Sequence, residues 1–129
     1  MLPSTTITTA VTGATSSTLV IGNVRYLTVQ STFTYGSGGT SAKAWLQTSI
    51  DGGTTWIDIA GFAFTTSSAT RVYSLDTTAV TTIYTPTDGT ITDNTAKNGI
   101  LGDRFRVKYT TTGTYADSTT LKVDIVAVR

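Results

Sequence analysis

One stretch of eight residues, 49–56, constrains the fold of this chain more than any other. It reads Ser-Ile-Asp-Gly-Gly-Thr-Thr-Trp and separates two apolar-patterned runs, residues 42–48 and 56–60. Asp and Gly tolerate the positive φ angles that tight connections between antiparallel strands require. The stretch therefore predicts a β-hairpin, with a structural turn formed by Ser49, Asp51, Gly52, Gly53, Thr54 and Trp56.

The composition extends this prediction to the whole chain. Thr supplies about a quarter of the 129 residues and Glu is absent, which favours pleated strands over helices. Apolar and polar residues alternate along residues 25–35, with Leu27, Val29 and Phe33 on one face and threonines on the other, as expected for a β-strand. A chain of this length suffices for one domain with its own core.

About eight short strands separated by turn signals predict an all-β fold. The most favoured arrangement is a two-sheet antiparallel β-sandwich, specifically a jelly roll, and the alternative is an open barrel. We expect the sandwich to comprise residues 19–129, with residues 1–18 forming an N-terminal arm or an edge strand. Residues 79–84 are a further strand candidate, and residues 85–100 form the longest irregular region, where a contact loop is expected.

Three cations alternate with apolar residues near the C-terminus: Arg104, Arg106 and Lys108. The pattern predicts a strand that pairs with residues 121–127 through a Gly/Asp turn, with Arg104 opposite Asp124. Cations on one strand face most often form a solvated face. The row is also a possible partner contact, for a protein more than for nucleic acid.

The sequence excludes several kinds of catalytic site. There is no His and no Cys, so Ser–His, Cys–His and His–metal sites are impossible. The only acids are eight aspartates, most of them at turn positions, and only Asp88, Asp93 and Asp103 form a conceivable calcium site. We therefore predict no catalytic, metal or cofactor-binding residue, and no enzymatic activity.

Net charge and hydropathy indicate which classes of partner are not expected. The net charge of +1 provides no global field that would gather nucleic acid or acidic lipid. No apolar run approaches the roughly 18 residues of a membrane span, and no basic segment followed by an apolar one indicates a signal peptide. Neither a nucleic acid nor a membrane is expected as a partner.

The turn at residues 49–56 also fits the pattern S-x-D-x-G-x-T-W, which resembles the Asp-box hairpin of sialidase propellers. A propeller repeats that motif in several blades of roughly 40 residues each, and this chain has one copy in 129 residues. The motif is therefore interpreted as a structural turn in which Ser49, Asp51 and Thr54 hydrogen-bond across their own hairpin.

A broader resemblance covers roughly residues 25–129. The segments AWLQTSIDGGTTWIDIA, residues 44–60, and GDRFRVKYTTTGTY, residues 102–115, resemble small Thr-rich structural proteins of tailed bacteriophages. That resemblance implies a jelly-roll or sandwich module that decorates or cements the capsid as a homo-oligomer, with the major capsid protein as its partner. It also implies a location on the virion, after assembly in the host cytoplasm, and it transfers no functional residues.

Two other functions stay open. A neck or tail module would have the same kind of sequence, and a carbohydrate-binding module could use Trp45 and Tyr26 as an aromatic platform, or Trp56. For a capsid clamp, we expect residues 1–18 and the 85–100 loop to reach across neighbouring capsomers.

Overall fold

The computed structural model describes residues 1–129 and contains eleven β-strands and no helix. Eight strands have five or more residues: β1 (Leu2–Thr6), β2 (Val11–Thr15), β4 (Tyr26–Thr34), β6 (Ser41–Ser49), β7 (Ile57–Phe64), β8 (Ala69–Asp76), β9 (Arg104–Thr112) and β11 (Thr120–Val128). Three have two residues: β3 (Leu19–Val20), β5 (Ser37–Gly38) and β10 (Tyr115–Ala116). The predicted all-β class is confirmed. No helix is long and apolar enough to cross a membrane.

The strands form two main antiparallel sheets. Sheet A has the order β1-β11-β4-β8, and sheet B has the order β2-β9-β6-β7 with β3 also paired to β9. The short strands β5 and β10 pair with each other outside both sheets. Buried side chains from sheets A and B belong to one hydrophobic cluster, so the β-sandwich is confirmed, whereas the jelly-roll topology stays a prediction.

The core follows directly from the two-residue period of the strands. In β4 the buried residues are Leu27, Val29 and Phe33, as the alternation predicts. In β6 the small side chains of Ala42 and Ala44 lie beside large ones of β7, because these alanines pair with Phe64 and Phe62. Alternation of small and large residues across neighbouring strands lets the layers interdigitate at native density.

Residues 1–18 contribute an edge strand to each sheet. Strand β1 pairs with β11 of sheet A, and β2 pairs with β9 of sheet B. Leu2 and Ile7 are buried in the common core. The segment therefore joins the two layers as an edge element, one of the two forms expected for it.

The predicted hairpin between the cationic strand and the C-terminal strand does not form. Strand β9 lies in sheet B, where Arg104 pairs with Ser49, and β11 lies in sheet A, where Asp124 pairs with Gln30. Between them β10 pairs with β5, and its residue Tyr115 is buried, so the chain crosses from one layer to the other. The predicted pairing of Arg104 with Asp124 is therefore wrong.

The predicted strand at residues 79–84 is also wrong. These residues belong to the irregular segment between β8 and β9, and Val80 and Ile83 within it are exposed. Of residues 79–84, only Tyr84 packs against the core, and its hydroxyl donates to the Asp58 carbonyl at 3.1 Å.

Candidate functional site

The turn at residues 49–56 is held by one serine hydroxyl and one carboxylate. The Ser49 hydroxyl donates to Asp51 Oδ1 at 2.9 Å and accepts from the Gly53 N–H at 3.0 Å. Asp51 Oδ1 also accepts from the N–H groups of Thr54 and Thr55, at 3.1 and 2.8 Å. These bonds close the turn on itself, so Ser49 and Asp51 have a structural role within it.

The charge of Asp51 is stabilised by the same contacts. The bond from the Thr55 N–H is the largest cause, and it lowers the pKa of Asp51 from 3.8 to about 2 because it favours the carboxylate form. Gly52 and Gly53 follow with φ angles of 77° and 93°, which glycine adopts without steric cost. The acid, the hydroxyl and the two glycines together form a rigid corner at the end of β6.

A long irregular segment closes the open edge of sheet B. We call residues 87–97 the strap. The strap pairs with β7 through three backbone hydrogen bonds: Asp58 N–H to the Thr87 carbonyl, Gly61 N–H to the Thr95 carbonyl, and Lys97 N–H to the Ile59 carbonyl, each 2.8 or 2.9 Å long. An exposed strand edge can pair with other chains, and the strap removes that possibility for β7.

One buried carboxylate anchors the strap. Asp58, fully buried on β7, accepts from the N–H groups of Gly89, Thr90 and Ile91 and from the Thr87 hydroxyl, at 2.8 to 3.2 Å. The Gln47 amide donates to the same carboxylate at 2.8 Å. Successive backbone N–H groups that converge on an anion form a nest, and here the anion is supplied by the protein itself.

The strap also covers Trp45, one of the residues expected for an aromatic glycan platform. Trp45 is buried, and a Cβ atom placed at Gly61 would lie 2.9 Å from Ile91 Cγ2 and 3.6 Å from Trp45 Cδ1. The absence of a side chain at Gly61 thus lets Ile91 pack beside the indole. Trp45 is not an exposed platform, and that part of the sequence interpretation is wrong.

The same geometry places the 85–100 loop. Most of that loop is the strap, which lies along β7 of its own chain. The reach of residues 85–100 and of residues 1–18 across capsomers stays a prediction.

Two cations of the predicted contact row are engaged inside the chain. Arg106 donates from Nε to Gln47 Oε1 at 2.7 Å, and its Nη2 lies 3.5 Å from Asp88 Oδ1. Lys108 Nζ lies 3.0 Å from the same Asp88 oxygen. The side chains of Arg106 and Lys108 are only 18% and 21% exposed. Both contact Asp88 of the strap, and little of their charge therefore faces solvent.

Asp88 is the strap residue on which these contacts converge. Partial burial opposes its ionisation, but the Gln47 amide and the charges of Lys108 and Arg106 outweigh that effect and lower the pKa of Asp88. The cations, Gln47, Asp58 and Asp88 thus form one polar network between sheet B and the strap.

Arg104 lies at the turn and outside this network. Its carbonyl accepts from the Thr48 hydroxyl at 3.0 Å, while its Nε is buried without a hydrogen-bond partner. The side chains of Arg104 and Trp56 both lie close to Gly53, since a Cβ atom there would lie 3.8 Å from Arg104 Cδ and 3.7 Å from Trp56 Cζ2. The three cations are neighbours in β9, but they do not form one exposed patch.

The exposed apolar residues lie elsewhere, and several of them follow strand ends at one end of the sandwich. Ile50 follows β6, Val80 and Ile83 lie in the loop after β8, and Leu19 and Val20 form β3, which pairs with the start of β9. Backbone hydrogen bonds link these loops: Asp103 N–H to Ser49, Gly99 N–H to Asp76, and Ile21 N–H to Asp103. We call this surface the apolar end.

A second exposed apolar surface is the outer face of sheet A. It carries Tyr26 of β4, Val72 of β8, and Val126 and Val128 of β11. Sequence reasoning named Tyr26 as part of a possible aromatic platform but did not connect it with Val126. The sequence signal for this surface was the end of β11, where the four consecutive residues 125–128 are apolar, so that apolar side chains lie on both faces of the strand.

Comparison with protein-family models, with curated proteins and with solved structures found no match to this chain.

Proposed function

We propose that this chain is a non-enzymatic structural protein of a tailed-phage virion, which binds the major capsid protein as a decoration or cement protein. The resemblance of residues 44–60 and 102–115 to such proteins supplies the class of partner. The observation that carries the proposal is the gathering of exposed apolar side chains at the apolar end.

That end has the chemistry of a protein-binding surface. Ile83 is 95% exposed and Ile50 is 70% exposed, and both project from loops that backbone hydrogen bonds tie to the sandwich. Contiguous exposed apolar residues commonly mark protein contacts, because water contact is unfavourable until a partner covers them. We assign the capsid contact to Ile50, Val80 and Ile83.

The remaining surface offers little for a small substrate. Two shallow depressions are present, of about 170 and 350 Å³. The larger is lined by Met1, Ser17, Thr18, Leu19 and Ile125, which include no ionisable side chain. Sites for small molecules usually combine an enclosed cavity with a few converging polar groups.

A rigid module suits repeated binding to a lattice. The strap and the N-terminal strands close the sandwich without disulfides, so the domain can fold in a reducing cytoplasm. Each copy needs only modest affinity when copies bridge neighbouring subunits, because linked contacts add avidity. No observation favours the carbohydrate-binding alternative, and we do not propose it.

Quantitative mass spectrometry of purified virions tests this proposal. Copies in the hundreds per particle are expected for a protein that covers the capsid surface, whereas about a dozen would indicate a ring at the neck or tail. Absence of the chain from purified virions would overturn the virion role altogether.

Reconstitution tests the assigned contact. Capsids that lack the protein are incubated with wild-type chain, with Ile83→Asp and with Thr12→Asp, an exposed control on β2. Loss of one buried isoleucine contact and burial of a charge should weaken capsid binding at least about tenfold for Ile83→Asp. Equal binding by all three proteins would contradict the assignment to the apolar end.

A further inference from the structure

The outer face of sheet A is uncovered, whereas the outer face of sheet B carries the strap. Its apolar side chains are strongly exposed: Tyr26 57%, Val72 54%, Val126 69% and Val128 51%. Nothing in the chain packs over them. A sheet face with four large apolar residues in solvent is unfavourable unless another surface covers it.

We infer that a second copy of this chain covers that face in a symmetric dimer. The inference rests on the outward residues of β4 and β11, which pair within one chain as Tyr26 with Val128, Thr28 with Val126, Gln30 with Asp124, and Thr32 with Lys122. A two-fold axis parallel to these strands, running between them, places β11 of each copy over β4 of the other.

This superposition brings compatible groups together. Val128 lies over Tyr26 of the second copy, so two apolar side chains meet, and Val126 lies over Thr28, whose methyl group it can contact. Asp124 lies over an amide that can donate to it, that of the second copy's Gln30. Lys122 lies over the hydroxyl of Thr32. Asp124 and Lys122 also lie across the axis from their own copies, where the ion pair between them, 3.3 Å long within each chain, balances the like charges.

The shape of the face agrees with this arrangement. A shallow depression of about 170 Å³ lies among Thr28, Gln30, Val72, Asp124, Ile125 and Val126. Because Val126 of the second copy lies over Thr28, its side chain enters this depression. The same contact is made twice, as an isologous interface requires.

The area reaches the size of a specific interface. Strands β1, β11, β4 and β8 have 5, 9, 9 and 8 residues, which at about 3.3 Å per residue and about 4.8 Å per strand cover about 490 Å² per copy. Two copies therefore bury about 1,000 Å², the lower bound expected of a specific interface. Sheets packed face to face keep their strands within about 30° of each other, which the proposed axis permits.

Sedimentation velocity tests the dimer. Across about 1 to 100 μM, the wild-type chain of 13.6 kDa should sediment with a dimer's mass at the upper concentrations. Val126→Asp should weaken association at least about a hundredfold, because the change acts on both halves of the interface. Thr12→Asp, remote from this face, should associate like the wild type. Val126 is exposed, so the variant should keep the wild-type circular dichroism.

Cross-linking tests the position of the axis. The chain has no native cysteine, so a short bismaleimide of about 8–10 Å reports only introduced thiols. Thr28→Cys and Val126→Cys, which flank the proposed axis, should cross-link to their own copies. Val72→Cys, one strand further out, should do so several-fold more slowly. Equal cross-linking at all three positions would overturn the proposed axis.

The outcomes separate this inference from the proposed virion role. A monomeric wild-type chain throughout the range, or undiminished association of Val126→Asp, would overturn the dimer while leaving capsid binding by the apolar end untouched. A monomeric chain whose Val126→Asp variant fails to bind capsids would assign the face to the capsid protein, and would also overturn the dimer.

Discussion

The guanidinium carbon of Arg106 lies 4.2 Å from the centre of the Trp56 ring. This contact joins the end of the Asp-Gly-Gly turn to the middle of the cationic row on β9. Because Arg106 also contacts Gln47 and Asp88, the turn, sheet B and the strap are parts of one structure.

Substitution of Arg106 should destabilise the domain even when the positive charge is kept. Lysine lacks the planar guanidinium, so Arg106→Lys loses the stacking on Trp56 and the Nε bond to Gln47. We expect its free energy of unfolding in urea to fall by about 1–2 kcal/mol. Lys122→Ala is the control, since its ion pair with Asp124 is about half exposed and should contribute less than about 1 kcal/mol. Wild-type stability of Arg106→Lys would show that the stacked contact contributes nothing.

Removal of the Asp58 carboxylate should release the strap. Asp58→Ala leaves the partly buried N–H groups of residues 89–91 without their acceptor, and the Gln47 amide keeps only its bond to Asp88, which should cost about 2–4 kcal/mol of unfolding free energy. Asp93→Ala is a matched control, because the bridge from Asp93 to Lys43 is exposed. Hydrogen exchange locates the effect: amides of residues 89–91 should lose protection while those of β4 and β11 keep theirs. Equal stability of the two variants would contradict the anchoring role.

Sequence reasoning succeeded where contacts are local. The alternation in β4 and the turn at residues 49–56 can be predicted because the deciding residues are neighbours in the chain. The strap could not be predicted, because Asp58 lies about thirty residues before the N–H groups it binds and is one of eight aspartates. Only the Asp88-Gly89 turn signal was visible locally.

The failed pairing of β9 with β11 has a similar cause. A cationic strand, a Gly/Asp turn and a second alternating strand satisfy every local rule for a hairpin. The pairing is overridden by β10, which binds β5 about eighty residues earlier and is fixed by the buried ring of Tyr115. Long-range pairing of two residues thus determines to which sheet the C-terminal strand belongs.

Acid should weaken the turn through Asp51. The pKa of this group is about 2 in the folded chain, below its ordinary 3.8, because the Thr55 N–H stabilises the carboxylate. A lowered folded pKa stabilises the fold above the unfolded value, and this contribution is lost as the pH falls through the folded one. The stability difference between wild type and Asp51→Ala should therefore shrink from about pH 5 to about pH 2. A direct NMR titration of Asp51 with a midpoint near 3.8 would contradict the assigned bonds.

The N-terminal strands should be required for folding. Ile7 is buried between the two edge strands, and its N–H donates to the Thr119 carbonyl at 2.8 Å. Ile7→Ala removes core contacts and leaves a cavity, so we expect a loss of about 2–4 kcal/mol in urea unfolding. Ile83→Ala is the matched control, because Ile83 is 95% exposed and should change stability by less than about 0.5 kcal/mol. Deletion of residues 1–15 removes both edge strands and should abolish the cooperative unfolding transition. A truncated chain with wild-type circular dichroism and unfolding midpoint would show instead that the segment is dispensable to the sandwich and free to act as an arm.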